Sequence, residues 1–436
     1  MTVPSVDVTP PPWAGTTARA RVAGVAGAAD AASAAGVAST VSAAPRVRRS
    51  TVQVLGAAGR DGDGTVLPWT LGARERPDCV LDLTDVRRLD RAVRRLAGGI
   101  VVAATPWSPE ALFTDDLPAE QSAGFARGAA GVLWALAEVG ADIPGELIDW
   151  LVRAARRAPR DRPGLANGLS GLALALDRLG CGDDAAELWE AMDQAPLEDL
   201  GPTLADGLPG LGLALLERAP IPDGEALLDR VEAVAGALVR QLRWRSRFDR
   251  LGVLRGGSGA ALFLLHAYEL TEDPALLEPV QECLRHDLAL LGWRPFARHA
   301  ALPLWSRPGS VANGSMGVAV VLHRAAQHLD APWVAEAAEA ITAAAELRLL
   351  EAPGLSRGRA SAILAVQYLR SLPWETAEER FARVRPYLEQ VTLRRARNGA
   401  EQPGGFPSGL EDGAAGVLLA LGHLGIAGDR RVPFLW

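Results

Sequence analysis

The chain has 436 residues, is 49% apolar but only 5% aromatic, and carries 46 glycines. Ala and Leu dominate between those glycines, a usage that favours closely packed helices over β-sandwiches. With 45 basic residues scattered among 52 acidic ones and a net charge of −7, no basic stripe is available to follow a phosphate backbone, so nucleic acid is excluded as an expected partner.

The first segment, 1–66, is rich in Ala, Gly, Val, Pro, Ser and Thr, and reads as low complexity and disordered. It contains no GxGxxG, HRD or DFG and is too short for a kinase lobe. Residues 67–110 read as a lead-in helix and linker, with DLTDVRRLDRAVRRLAGGI as an amphipathic helix and Asp82 or Thr84 as its cap. From 111 to 436 the chain is expected to form one repeat domain. Cys79, Cys181 and Cys283 lie about a hundred residues apart with no CxxC or CxxH spacing, so neither disulfides nor structural zinc are expected. No stretch reaches the roughly 18 unbroken apolar residues of a membrane span, and no basic region followed by an apolar core opens the sequence. The expected location is cytoplasmic, with no membrane partner.

Seven times the chain writes a polar residue, Gly, two residues, a small residue and then an apolar run. The copies are Arg127-Gly128 to Gly131, Asn167-Gly168 to Gly171, Asp206-Gly207 to Gly210, Arg255-Gly256 to Gly259, Asn313-Gly314 to Gly317, Arg357-Gly358 to Ser361, and Asp412-Gly413 to Gly416. First glycines are separated by 39 to 58 residues, enough for two helices and their loops. The runs after each motif, such as GVLWALAEVG and GLALALDRLG, are apolar nearly all round, as in a helix enclosed by neighbours. Intervening segments such as PALLEPVQECLRHDLALL are amphipathic and suit an outer ring. The predicted fold is all-α, an α/α toroid of seven helical hairpins with inner and outer rings.

Asn167, Asp206, Asn313 and Asp412 precede the motif glycines, where an Asx side chain is expected to cap the following helix. Parallel inner helices would bring seven N-termini, with their unsatisfied N–H groups, to one mouth. That mouth is the candidate site.

The segments GFARGAAGVLWALAEVG, LRGGSGAALFLLHAYELTEDPALLEPV, RPGSVANGSMGVAVVL, APGLSRGRASAILAVQYL and FPSGLEDGAAGVLLAL resemble successive repeats of LanC-like lanthionine synthetase cyclases. The likeness runs from about residue 85 to 425 and is strongest to the zinc-free cyclase domain of class III lanthipeptide synthetases. It implies addition of a peptide cysteine thiol to dehydroalanine or dehydrobutyrine in a ribosomal precursor peptide. Zinc-dependent members place Cys two residues before the fifth-repeat glycine and Cys-His before the sixth. Here those positions hold Ala312, Ser356 and Arg357, so the resemblance implies no zinc and no other cofactor. The His that precedes the fourth-repeat glycine in zinc relatives is replaced by Arg255.

On this reading Arg255 and Arg357 are electrostatic catalytic residues, and Asp206, Asp412 and His299 are the candidates for proton transfer. Arg127, Asn167, Asn313 and Trp134 are expected to contact the peptide. The partners implied are the precursor peptide and separate kinase and lyase enzymes that dehydrate it. Two other readings stay open: a non-catalytic peptide-binding scaffold or remnant of a class III synthetase, and an α/α-barrel glycoside hydrolase using Asp206 and Asp412 as paired carboxylates.

Overall fold

The computed structural model describes residues 49–50, 86–113, 115, 117–218, 224–245, 248–293, 311–346, 354–356, 358–370, 376–388 and 407–425. Among them are fourteen α-helices, beginning with α1 (Val86–Ala103). Each glycine motif then opens a helix: α2 (Ala129–Glu138), α4 (Leu169–Arg178), α6 (Leu208–Glu217), α8 (Gly257–Thr271), α10 (Ser315–Ala325), α12 (Arg359–Arg370) and α14 (Ala414–Gly425). Between them run α3 (Gly145–Arg157), α5 (Gly182–Asp193), α7 (Gly224–Arg245), α9 (Leu277–Leu291), α11 (Pro332–Glu346) and α13 (Ala377–Leu388). The only strand pairing among the described residues is a two-residue parallel ladder of Arg49–Ser50 with Ile143–Pro144.

The motif helices form the inner ring. Each packs on the next, from α2 through α4, α6, α8, α10 and α12 to α14, and α14 returns to α2. Their apolar sequences require this enclosure: Ala129 through Ala137 of α2 are all buried, as are Gly257 through Leu265 of α8. The outer helices α3, α5, α7, α9, α11 and α13 each pack on the inner helix that precedes them in the chain. In α9 the stripe Val280, Cys283, Leu284, Leu288 and Leu291 is buried while Glu278, Glu282 and Arg285 face solvent, the helical period that an outer position demands. Trp150 of α3 and Trp189 of α5 are fully buried, with their indole N–H groups donating to Ser108 O at 2.7 Å and Asp177 Oδ2 at 2.8 Å. Both are packing residues.

The seventh inner helix takes its outer partner from the other end of the domain. α1 packs on α14, and Leu89 and Leu96 on its inner face have no exposure. The lead-in helix is therefore a member of the outer ring, and the toroid closes by joining segments about 320 positions apart in sequence. Cys181 and Cys283 are buried. Asp82, Thr84 and Cys79 lie outside the described residues. None of the described helices is long and apolar enough to cross a membrane.

Candidate functional site

In six repeats the residue two positions before the first glycine links its loop to the next through the backbone. Ala126 N donates to Ala166 O at 2.9 Å, Ala166 N to Ala205 O at 2.7 Å, Ala205 N to Leu254 O at 3.0 Å, and Leu254 N to Ala312 O at 2.7 Å. Ser356 N donates to Glu411 O at 2.6 Å, and Glu411 N returns to Ala126 O at 2.7 Å. Between the fifth and sixth loops, Asn313 Nδ2 stands 3.4 Å from Ser356 Oγ. Only inner helices that all start at the same end allow this closed circuit. The seven starts therefore surround one mouth.

The motif glycines exist because the loop backbone folds tightly onto each helix start. A Cβ at the second glycine would lie 1.8 Å from Phe125 O at Gly131, 2.2 Å from Leu165 O at Gly171, 2.1 Å from Leu204 O at Gly210, and 1.9 Å from Val253 O at Gly259. It would lie 1.9 Å from Val311 O at Gly317 and 2.3 Å from Leu410 O at Gly416. No side chain fits such an approach. Where the sixth repeat has Ser361, its buried Oγ accepts from Val311 N at 2.6 Å, a cross-repeat bond that a glycine lacks.

The helix starts depart from two expectations. The cap residues are the glycines Gly128, Gly168, Gly207, Gly256 and Gly314, with no side-chain cap bond, so Asn167, Asp206 and Asn313 are not caps. Nor do the first N–H groups stand unsatisfied towards the mouth. Ala129 N donates to Ser122 O, Leu169 N to Arg162 O, Leu208 N to Gly201 O and Ala414 N to Pro407 O, all at 2.8 to 2.9 Å. In these four repeats the loop wraps back seven residues and caps its own helix, and Asp206 and Asp412 face the rim.

There they pair with the arginines. Arg255 Nη1 lies 3.3 Å from Asp206 Oδ2, joining the third and fourth repeats. Arg127 Nε lies 3.0 Å from Asp412 Oδ2, joining the first and seventh, without the alignment of a hydrogen bond. All four side chains are between 38% and 53% exposed, so both pairs are open to a ligand at the mouth. Asn167 packs its Oδ1 against Gly124, where a Cβ would sit 2.7 Å away. Trp134, expected to touch substrate, is instead 4% exposed and packs inside the core with its ring centroid 5.3 Å from that of Phe125, tilted by 58°. Arg357 and His299 lie outside the described residues.

Two carboxylates of this region escaped the sequence reading. Asp115, from the segment before the first repeat, accepts from Ser408 N at 2.9 and 3.1 Å beside the Arg127–Asp412 pair. Burial pushes its carboxyl up, and the charge of Asp412 adds to this, against the hydrogen bond from Ser408 and the charge of Arg127. Nothing in the local sequence singles it out. Asp287 of α9 has no exposure and binds the start of α8. Its signal was legible, because it occupies a buried position of an otherwise apolar helical stripe.

No protein-family model matches the sequence. Over 365 residues the chain is 34% identical to a probable SapB synthase of Streptomyces coelicolor, an alignment that covers 78% of this chain and 38% of that one. The structure superposes on nisin cyclase with a TM-score of 0.50 at 15% identity, over 80% of this chain and 95% of that one. In its fold the chain is LanC-like, and in sequence it is similar to part of that synthase. It spans little more than a third of the length of the Streptomyces relative. As a LanC-like toroid it carries, at two of the three positions where zinc-dependent members hold the metal, Ala312 and Ser356, neither of which offers a thiolate or an imidazole. No group of three or more metal-ligating side chains occurs elsewhere among the described residues.

Proposed function

We propose that this LanC-like chain promotes thioether ring closure in a dehydrated ribosomal precursor peptide, without zinc. The observation that supports this most directly is the closed rim on which the Asp206–Arg255 and Arg127–Asp412 pairs face the mouth. In the reaction a cysteine sulfur bonds to Cβ of dehydroalanine or dehydrobutyrine, the π pair moves towards the carbonyl, and the thiol proton is replaced at Cα. Atoms balance and no redox partner is needed.

Magnitudes decide which contribution matters. A thiol with pKa near 8.5 is only a few per cent thiolate at neutral pH. One helix N-terminus supplies about 0.3–1 kcal/mol, and the self-capping loops already occupy four of the first N–H groups. Orientation of two groups within one molecule supplies up to about 7–11 kcal/mol. Peptide positioning is therefore the main device, with Arg127, Asn167 and Asn313 as contacts. Arg255 and Arg357 stabilise the developing enolate, while Asp206 or Asp412, with His299, passes the proton. The substrate requires prior dehydration by a kinase and a lyase, on other chains or in a longer polypeptide, and the cytoplasm is the compartment where such peptides are made and thiols stay reduced.

The test uses the purified chain and a synthetic peptide with one dehydroalanine and one cysteine, following loss of alkylatable thiol by mass spectrometry. Arg255→Ala and Arg357→Ala are each expected to slow closure about tenfold or more. Wild-type rates in both variants remove the arginines from the mechanism. Ala312 and Ser356 at metal-donor positions favour a second reading, a peptide-binding scaffold. Binding of the peptide with no acceleration over the protein-free rate selects it.

A further inference from the structure

The fourth repeat departs from the pattern of its neighbours. Where the first, second, third and seventh helix starts are capped by their own loops, the start of α8 is capped by Asp287, reaching in from the outer helix of the same hairpin. Gly257 N donates to Asp287 Oδ1 at 3.0 Å, and Ser258 N and Ser258 Oγ donate to Oδ2 at 2.9 and 2.6 Å. Gly252 N, at the other end of the loop, donates to Oδ2 at 3.0 Å. One buried carboxylate therefore clamps both ends of the segment from Gly252 to Gly257.

That segment touches two parts of the mouth. Its exposed apex is Arg255, which meets Asp206. At its start Gly252 has φ +96, and a Cβ there would fall 2.8 to 2.9 Å from Gly314 N, Ala312 O and Asn313 Cα of the fifth loop. Only a glycine held in this left-handed turn lets the fourth and fifth loops nest. The packing of Cys283 against Gly257, with its carbonyl 2.5 Å from where a Cβ would sit, brings α9 close enough for Asp287 to reach.

We infer that Asp287 is a positioning residue of the mouth, setting the Gly252–Gly257 loop so that Arg255 pairs with Asp206 and the fifth loop seats against Gly252. This rests on the reading of the mouth as the peptide site and extends it to a residue that never touches the peptide. Asp287→Asn keeps the volume but replaces an acceptor oxygen by an amide that faces backbone donors, so at least one end of the clamp opens. Ser258→Ala removes one bond of the four and leaves the carboxylate in place, which keeps the test available should the first variant fold poorly.

Two readouts on the full chain decide the matter. In hydrogen exchange, amides 252–258 are expected to exchange about tenfold faster or more in Asp287→Asn, and less so in Ser258→Ala, while α2 and α4 are unchanged. In ring closure on the dehydroalanine peptide, each variant is expected to lose rate in the wild-type background, about tenfold for Asp287→Asn, and less than about twofold in the Arg255→Ala background. Unchanged exchange in both variants overturns the clamp. Equal rate losses in the two backgrounds overturn its action through Arg255. A wild-type chain that closes no rings overturns the proposed function instead, and the exchange data still judge the clamp.

Discussion

A glycine's importance in this chain depends on what stands where its side chain would be. At Gly259 the neighbour is the Val253 carbonyl at 1.9 Å, whereas at Gly98, inside α1, nothing lies within 4 Å. Gly259→Ala must displace backbone shared by α8 and the mouth loop, and is expected to cost about 3 kcal/mol or more in urea unfolding. Gly98→Ala is expected to stabilise by about 0.5–1 kcal/mol, since an interior helical position gains propensity and loses only unfolded-state entropy. Equal effects of the two substitutions would mean that the carbonyl approach at the motif glycine is unimportant. The same logic separates the rim residues. Asp206 and Arg255 are half-exposed, and their pair is worth little to stability, so substitutions there are expected to act on ligands and not on folding.

Individual helices carry two polar ends of different kinds. At the mouth the ends are capped by backbone or by Asp287. At the far end, ten residues after each first glycine, stand Glu138, Arg178, Glu217, His266, Arg324, Tyr368 and His423. Arg178 pairs there with Glu138. Between α8 and α10, Glu269 receives Arg324 Nε at 3.0 Å and lies 2.8 Å from His328 Nε2. Burial alone raises the Glu269 carboxyl, but the hydrogen bond with His328 and the charge and hydrogen bonds of Arg324 outweigh it and hold it at about 2, against an ordinary 4.5. Because the folded value is depressed, the stabilisation is complete above about pH 4.5 and is lost as pH falls through that value towards 2. The effect is worth roughly 3 kcal/mol at neutral pH. The urea midpoint of the wild-type chain is expected to fall between about pH 5 and 3, and Glu269→Gln to start lower and change less over that range. A parallel pH dependence in the variant would assign the loss to other carboxylates.

For the whole molecule the decisive feature is closure. In an open array of hairpins the terminal repeats touch one neighbour and fray first. Here α14 packs on both α2 and α1, so the two ends of the described ring protect each other. Amides of α2 and α14 are expected to exchange as slowly as those of α8, through a single global unfolding event. Exchange of α2 or α14 faster by about a hundredfold than α8 would mean that the ring opens at that seam.

Sequence alone determined the inner and outer rings, because an all-apolar run after each glycine and a one-sided stripe between them leave a helix few places to lie. It also located the rim residues Arg127, Asp206, Arg255 and Asp412, since identical motifs at equal register must occupy equivalent positions. Tertiary structure alone decided which of them meet, that Trp134 is core, and that four of the loops cap their own helices while Asp287 caps a fifth. Those outcomes depend on how far each backbone approaches its neighbour, a distance that residue type does not encode. The same holds for α1 completing the ring and for Asp115 joining the rim. Both come from segments outside the repeat, brought in by chain closure and not by any local pattern.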